Sequence, residues 1–176
     1  GEITVTPLQM AVMTSAIANG GKIIQPRLLL AVSSLNENNQ IYSIKVPRKV
    51  INNLNLKNET VSLLHKAMIA DVDDRDGSGR GARVSGISIG GKTGTAQKKV
   101  PTGKFNPKTG ARLFRMDHIT WFVSFAPVKS PKYAVVVMVE SGTSGGKICA
   151  PIAGKVYRAI QKLEKNKGEP KLAGRL

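Results

Sequence analysis

The sequence predicts an α+β fold, an antiparallel sheet with flanking helices. Three observations carry this. Apolar residues recur at helical spacing in three separate stretches, near the start, middle and end of the chain. The strand-like runs His118–Val128 and Lys132–Ser141 are joined only by Lys129-Ser130-Pro131, which suits an antiparallel return and no crossover. Strands also cluster in sequence and do not alternate with helices, which argues against parallel βαβ units.

Each element follows from its local residues. Thr6 caps a first helix, Pro7 fits its opening turn, and Leu8, Met10, Ala11, Met13, Ile17 and Ala18 supply an apolar surface. Asn19-Gly20-Gly21 ends it through left-handed conformations. The extended stretch 22–35 carries Pro26, which marks an edge or loop entry. A turn at Asn36–Gln40 and a return strand at Ile41–Val46 complete a hairpin. Asn58 is expected to cap a second helix running to Val72, with Val61, Leu64, Ala67 and Met68 on one face. Residues 71–86 are rich in Gly and charge and read as a loop. Asp71, Asp73 and Asp76 cluster there, but no glutamate lies at the position a calcium loop requires. Three strands are expected at Val84–Ala96, His118–Val128 and Lys132–Ser141, with Ile119, Trp121, Val123 and Phe125 sharing one face. Lys98–Asp117, basic and containing Pro and Gly, reads as a long exposed loop. Ser141–Lys147 is a flexible turn, and Ala150–Leu163 a closing helix with Ile152, Val156, Ala159, Ile160 and Leu163 at helical spacing. Residues 164–176 are expected to form a basic, disordered tail after a domain spanning 1–163.

Composition narrows the function classes. The 176 residues, 41% hydrophobic, suffice for one globular domain. No run of about 18 apolar residues suggests a membrane span. The chain begins at Gly1 directly before a helix, so it reads as part of something longer. The single cysteine, Cys149, excludes an internal disulfide and is expected to be a buried structural thiol. His65 and His118 are far apart, so no structural zinc and no cofactor are expected. The net charge of +16 favours anionic surroundings such as nucleic acid, lipid headgroups or cell-wall polymer. Aromatic residues make up only 5%, and no nucleic-acid-binding motif is present, so no nucleic-acid partner is expected.

The motif Lys92-Thr93-Gly94-Thr95 carries the chemistry. On a regular strand Lys92 and Gly94 face one side, Thr93 and Thr95 the other. The ammonium raises the local positive potential, and a hydroxyl can donate to a carboxylate. Gly94 lets a ligand backbone approach closely. An edge strand can bind an extended peptide as an added strand, with one N–H turned to a developing oxyanion. The motif follows Gly90-Gly91 at the end of a strand-like run, with two strands and a helix after it, as a K-T-G element requires.

Several further stretches occur in a telling order: Thr6–Gly21 (TPLQMA with IANGG), Gln25–Leu29 (QPRLL), Gly77–Ala82 (GSGRGA), Gly90–Gln97 (GGKTGTAQ), Trp121–Pro127 (WFVSFAP) and Gly145–Ile160 (GGKICAPIAGKVYRAI). Together they resemble the C-terminal part of the transpeptidase domain of class B penicillin-binding proteins, of the penicillin-binding protein 2 type. The resemblance covers roughly Ile3 to Ile160. It implies the C-terminal portion of the penicillin-binding and serine β-lactamase-like fold. It also implies a serine acyl transfer that cross-links peptidoglycan stem peptides and that β-lactams intercept. Lys92 and Thr93 then match the K-T-G lysine and hydroxyl residue. Thr95 would give its N–H to the oxyanion and its hydroxyl to the substrate carboxylate, Gly94 would keep the approach open, and Gln97 would lie at the cleft end. The implied partners are stem peptides, lipid-linked precursors, β-lactams and a membrane glycosyltransferase. The implied location is the outer, periplasmic face of the bacterial inner membrane, through an N-terminal anchor absent from this chain.

One departure matters. No S-x-x-K nucleophile motif is present, and Ser34-Leu35-Asn36, the one formal S-x-N, follows the first helix, whereas the family's motif precedes it. The chain alone is therefore expected to be inactive. A serine β-lactamase or β-lactam sensor domain shares K-T-G, but the long 98–117 segment and the TPLQMA helix favour the cell-wall enzyme. A basic polyanion-binding module rests on charge alone.

Overall fold

A computed structural model describes residues 3–35 and 41–168. Helix α1 spans Pro7–Ala18 and begins with a reciprocal capping box, in which the Thr6 hydroxyl accepts from Gln9 N–H and the Gln9 side chain accepts from Thr6 N–H. Strand β1 (Lys22–Ile24) pairs with β4 (Val50–Asn53), and β2 (Ala31–Leu35) pairs with β3 (Ile41–Lys45). The expected hairpin is therefore present, while its turn at Asn36–Gln40 lies outside the described residues. Strand β4 was not expected: its four residues are all exposed, so no alternation marks it.

Helix α2 spans Asn58–Asp73, but its cap is Lys57 without a side-chain hydrogen bond. Asn58 sits inside the first turn, so the expected cap is corrected by one residue. The apolar surface assigned to α1 holds for Met10, Ile17 and Ala18, which pack in the core cluster. It is corrected elsewhere: Thr14 and Ala16 face inward, whereas Leu8 and Met13 remain 60% and 42% exposed. Thr14 is tolerated inside because its hydroxyl donates to Met10 O at 2.7 Å.

The main sheet has the order β5-β6-β7, with β5 Gly90–Phe105, β6 Arg112–Ala126 and β7 Tyr133–Glu140, all antiparallel. The segment 98–117 is thus a two-stranded arm and not a loop. Pairing runs from Gln97↔His118 to Phe105↔Arg112. Both faces of the arm are largely solvated, so no apolar alternation announces it in the sequence. Asn106 closes the tip, where its backbone pairs with Ala111 and its side chain accepts from Lys108 N–H.

The sheet is covered on both sides. Ala18, Met68, Val123, Phe125 and Val128 form one cluster, with α1 and α2 supplying the helical partners. Val72, Ala82, Phe122, Cys149, Ala153 and Tyr157 lie in the other, against the last helix, α3 (Ala150–Gly168). The closing helix therefore runs five residues past Leu163, into the expected tail, and 169–176 lie outside the described residues. Tyr157 is 1% exposed and donates to Ser124 Oγ at 3.0 Å; burial pushes its hydroxyl up to about 12. Cys149 is buried, 3.4 Å from Thr120 Oγ1, as a packing thiol would be. His65 bonds Ile17 O at 2.9 Å and packs on Phe125, so it joins α2 to α1 and the sheet. Among the described residues no helix is long and apolar enough to cross a membrane.

Candidate active site

Lys92–Thr95 occupy β5 where it forms an edge of the main sheet among the described residues. The register pairs Lys92↔Val123, Thr93↔Phe122, Gly94↔Trp121 and Thr95↔Thr120. Directly opposed residues share a face. Lys92 and Gly94 therefore lie on the α1/α2 side, and Thr93 and Thr95 on the α3 side.

A cavity opens on each side of this strand. The first, about 720 Å³, is walled by apolar side chains of α1 and α2, such as Met13, Leu64 and Met68, and reaches Lys92, Thr93 and Gly94. The second, about 560 Å³, is walled by Thr93, Gly94, Thr95, Ser78 and the loop Ser144–Lys147, with Arg80 at its rim. Lys92 donates to Thr93 O at 3.0 Å and is otherwise exposed. Arg80 and Lys147 line the second cavity, whose lining holds no carboxylate, which suits an anionic ligand there; the first cavity sets Lys92 and Arg75 against Asp71, Asp74 and Asp76. Gln97 pairs with His118 further along β5 and lines neither cavity.

Glycines let the surrounding loops reach the strand. A Cβ on Gly145 would lie 2.2 Å from Trp121 O and 2.8 Å from Gly94 O. One on Gly146 would lie 2.3 Å from Ser78 O. The turn Gly145–Cys149 is therefore pressed directly on the backbone of the motif and of the 77–79 loop. Gly94 differs: a Cβ there would meet nothing closer than Trp121 Cβ at 3.6 Å. Its missing side chain leaves the cleft open and is not needed for packing.

Sequence reasoning missed Asp71, Ser78 and Gly145 as parts of this site. Ser78 Oγ lies 2.5 Å from Thr93 Oγ1 and donates to Asp71 Oδ1 at 2.6 Å. The available signal was the glycine pattern: Gly77, Gly79, Gly145 and Gly146 all sit where a Cβ would strike backbone or a buried side chain.

The chain also matches known proteins. The family described as the penicillin binding protein transpeptidase domain matches residues 1–158. This chain belongs to that family. It is 34% identical over 158 residues to the peptidoglycan D,D-transpeptidase MrdA of Acinetobacter baumannii, covering 89% of this chain and 22% of that protein. It is 32% identical over 161 residues to stage V sporulation protein D of Bacillus subtilis, covering 89% and 23%. The chain thus spans less than a quarter of these two relatives. Among solved structures, the D,D-transpeptidase domain of a peptidoglycan glycosyltransferase from Eggerthella lenta superimposes with a TM-score of 0.67 at 26% identity, covering 91% of this chain and 33% of that one. Penicillin-binding protein 2 of Pseudomonas aeruginosa gives 0.66 at 29%, covering 91% and 31%.

Asp117 ties the start of the segment that leads to Gly145 back to β6. Its carboxylate accepts from Ser141 Oγ at 2.7 Å, from His118 N–H at 2.9 Å, and pairs with Arg115 at 3.1 Å. Ser141 has a φ of 57° and opens the segment that carries Gly145 onto the strand. The Ser141 hydroxyl first, then the His118 amide, hold the Asp117 carboxyl below its usual value of 3.8. The ionised form is therefore favoured by folding. That contribution is present above the usual value and is lost as pH falls through the lower folded value. Amide protection factors across residues 141–147, taken against the intrinsic exchange rate at each pH, should hold at neutral pH and fall only below about pH 4. Asp117→Asn should bring the same loss of protection at neutral pH.

Proposed function

We propose that this chain is one wall of the active site of a serine peptidoglycan D,D-transpeptidase. The observation that carries the reading is the Lys92–Thr95 edge strand, set between two cavities, one of them lined by Arg80 and Lys147. An extended stem peptide would lie along the free side of β5 as an added strand, with Gln97 contacting it beyond the reacting bond. Its terminal carboxylate would meet the positive potential of Lys92 and the hydroxyl of Thr95.

A serine hydroxyl would attack the carbonyl of the penultimate D-alanine. The oxyanion would be stabilised by the Thr95 N–H. The carbon–nitrogen bond breaks, the departing D-alanine takes a proton, and the acyl group stays on the serine as an ester. An amine from a neighbouring strand then attacks the ester, forms the cross-link and returns the proton to the serine. A β-lactam would acylate the same serine.

The serine and its lysine would come from sequence preceding Thr6, so the chain alone is inactive in this reading. The apolar cavity beside Lys92, with the exposed Met13 in its wall, favours a further element packing there. The whole protein would bind lipid-linked precursors, work with a membrane glycosyltransferase and act on the outer face of the cell membrane through an anchor outside this chain. The protein carrying this chain together with its upstream sequence should release D-alanine from a pentapeptide stem analogue. A folded longer protein that releases none, and that penicillin does not affect, would overturn the reading.

A further inference from the structure

The arm at the far ends of β5 and β6 has two unlike faces. Its register runs on from the motif through Lys99↔Met116 and Pro101↔Phe114 and closes on Phe105↔Arg112. Opposed residues share a face, and along each strand the faces alternate. One face therefore carries Lys99, Pro101, Phe105, Arg112, Phe114 and Met116, on the side of the sheet where Thr93 and Thr95 lie. Phe105, Phe114 and Met116 are 58%, 57% and 53% exposed. An apolar strip of this kind, left in water on a ribbon with no core beneath it, marks an interaction surface.

The charges divide in the same way. Residues 97–117 hold six Lys and Arg residues and one acid, Asp117. Lys98 pairs with Glu140 at 3.7 Å and Arg115 with Asp117 at 3.1 Å, both on the opposite face. Lys99 and Arg112, beside the aromatic rings, have no ion pair among the described residues. Neither have Lys104 and Lys108, nearer the tip.

Exposed aromatic rings beside unpaired cations match a ligand that carries both sugar rings and carboxylates. A sugar lays its C–H groups on the negative face of an aromatic ring, and carboxylates meet the cations. Continuity with the motif selects the occupant. A pentapeptide added along β5 keeps pace with it residue for residue. With its reacting bond at Thr95, it runs out near Lys98 or Lys99. Whatever the peptide hangs from then lies along Pro101, Phe114 and Phe105.

We infer that this face of the arm binds an anionic carbohydrate polymer, the glycan strand that carries the stem peptide. Phe105 and Phe114 stack on its sugar rings, and Lys99 and Arg112 hold its carboxylates. The inference rests on the acyl-transfer reading and deepens it. The arm selects polymer-borne stems over free peptides and leaves the reacting bond to the motif.

The test separates remote binding from chemistry. In the longer protein, Phe114→Ser combined with Arg112→Gln should raise KM for stems on uncross-linked glycan strands about tenfold, the worth of one aromatic anchor, with kcat held. D-Alanine release from a free pentapeptide and acylation by benzylpenicillin should not change. Both faces of the arm are solvated, so the melting temperature should hold. Phe114→Tyr keeps the ring and should keep the parent KM. Lys57→Gln with Lys66→Gln removes more charge, on α2, and should leave KM unmoved. An equal loss with the free pentapeptide, or an equal loss in the α2 variant, overturns the inference. So does an unmoved KM alongside loss of binding to phosphatidylglycerol vesicles, which would make the face a membrane contact. If benzylpenicillin acylates no form of the longer protein, the acyl-transfer reading fails. Binding of uncross-linked glycan strands to this chain, lost in Phe114→Ser with Arg112→Gln, then decides the surface alone.

Discussion

Lys92→Met, made in the protein extended through its upstream sequence, is expected to slow acylation by a penicillin about 10²- to 10³-fold, the range for losing one preorganised electrostatic partner of the reacting group. The ammonium belongs to a residue that lines the first cavity, and among the described residues its one hydrogen-bond partner is the carbonyl of Thr93. Its removal costs the fold little, because an exposed lysine with a single neighbouring acceptor contributes little to stability. Stopped-flow acylation kinetics and a thermal melt separate the two effects. The rate should collapse while the melting temperature holds within a degree or two. A lower melting temperature with an unchanged rate would make Lys92 a structural residue.

Gly145→Ala should show the opposite pattern. Its Cβ would sit 2.2 Å from Trp121 O and 2.8 Å from Gly94 O. These are backbone atoms of paired strands and cannot step aside. The expected cost is about 3 kcal/mol, the upper part of the overpacking range. The turn Gly145–Cys149 would lift from β5 and β6 and carry the start of α3 with it. Gly94→Ala is the control. Its Cβ would find 3.6 Å of room, so the melt should barely change while the cleft narrows and acylation slows. Urea unfolding of both variants measures the contrast. Equal destabilisation by the two substitutions would mean that the close approach of Gly145 to Gly94 is not what holds the loop.

Legibility in the sequence followed the physics of each element. Helix α1 was readable because its start is written locally, in Thr6, Pro7 and Gln9. The pairing of β6 with β7 was readable because Lys129-Ser130-Pro131 permits only a short return. The strand under Lys92–Thr95 was readable from the run that leads into it, and the cation, hydroxyls and glycine it carries made it the candidate site. The arm formed by the far ends of β5 and β6 was not. Lys98, Lys99, Arg112 and Arg115 face solvent on a two-stranded ribbon, so charge concealed a strand that backbone pairing builds. Asp71 and Ser78 were hidden for a different reason. They lie 22 and 15 positions before Thr93, and only the compact 77–79 turn brings them to it. Long-range contacts set by glycine approach leave a composition trace, in Gly77, Gly79, Gly145 and Gly146, without saying which partner they approach.

The most direct test of the split-site account is intact-mass spectrometry after incubation with benzylpenicillin. It would be run on this chain and on the same chain preceded by its upstream sequence. The account predicts no adduct on this chain and a single penicilloyl adduct on the longer one, lost when the serine of an upstream S-x-x-K is replaced. An adduct on this chain alone, or none on a folded longer chain, would contradict it.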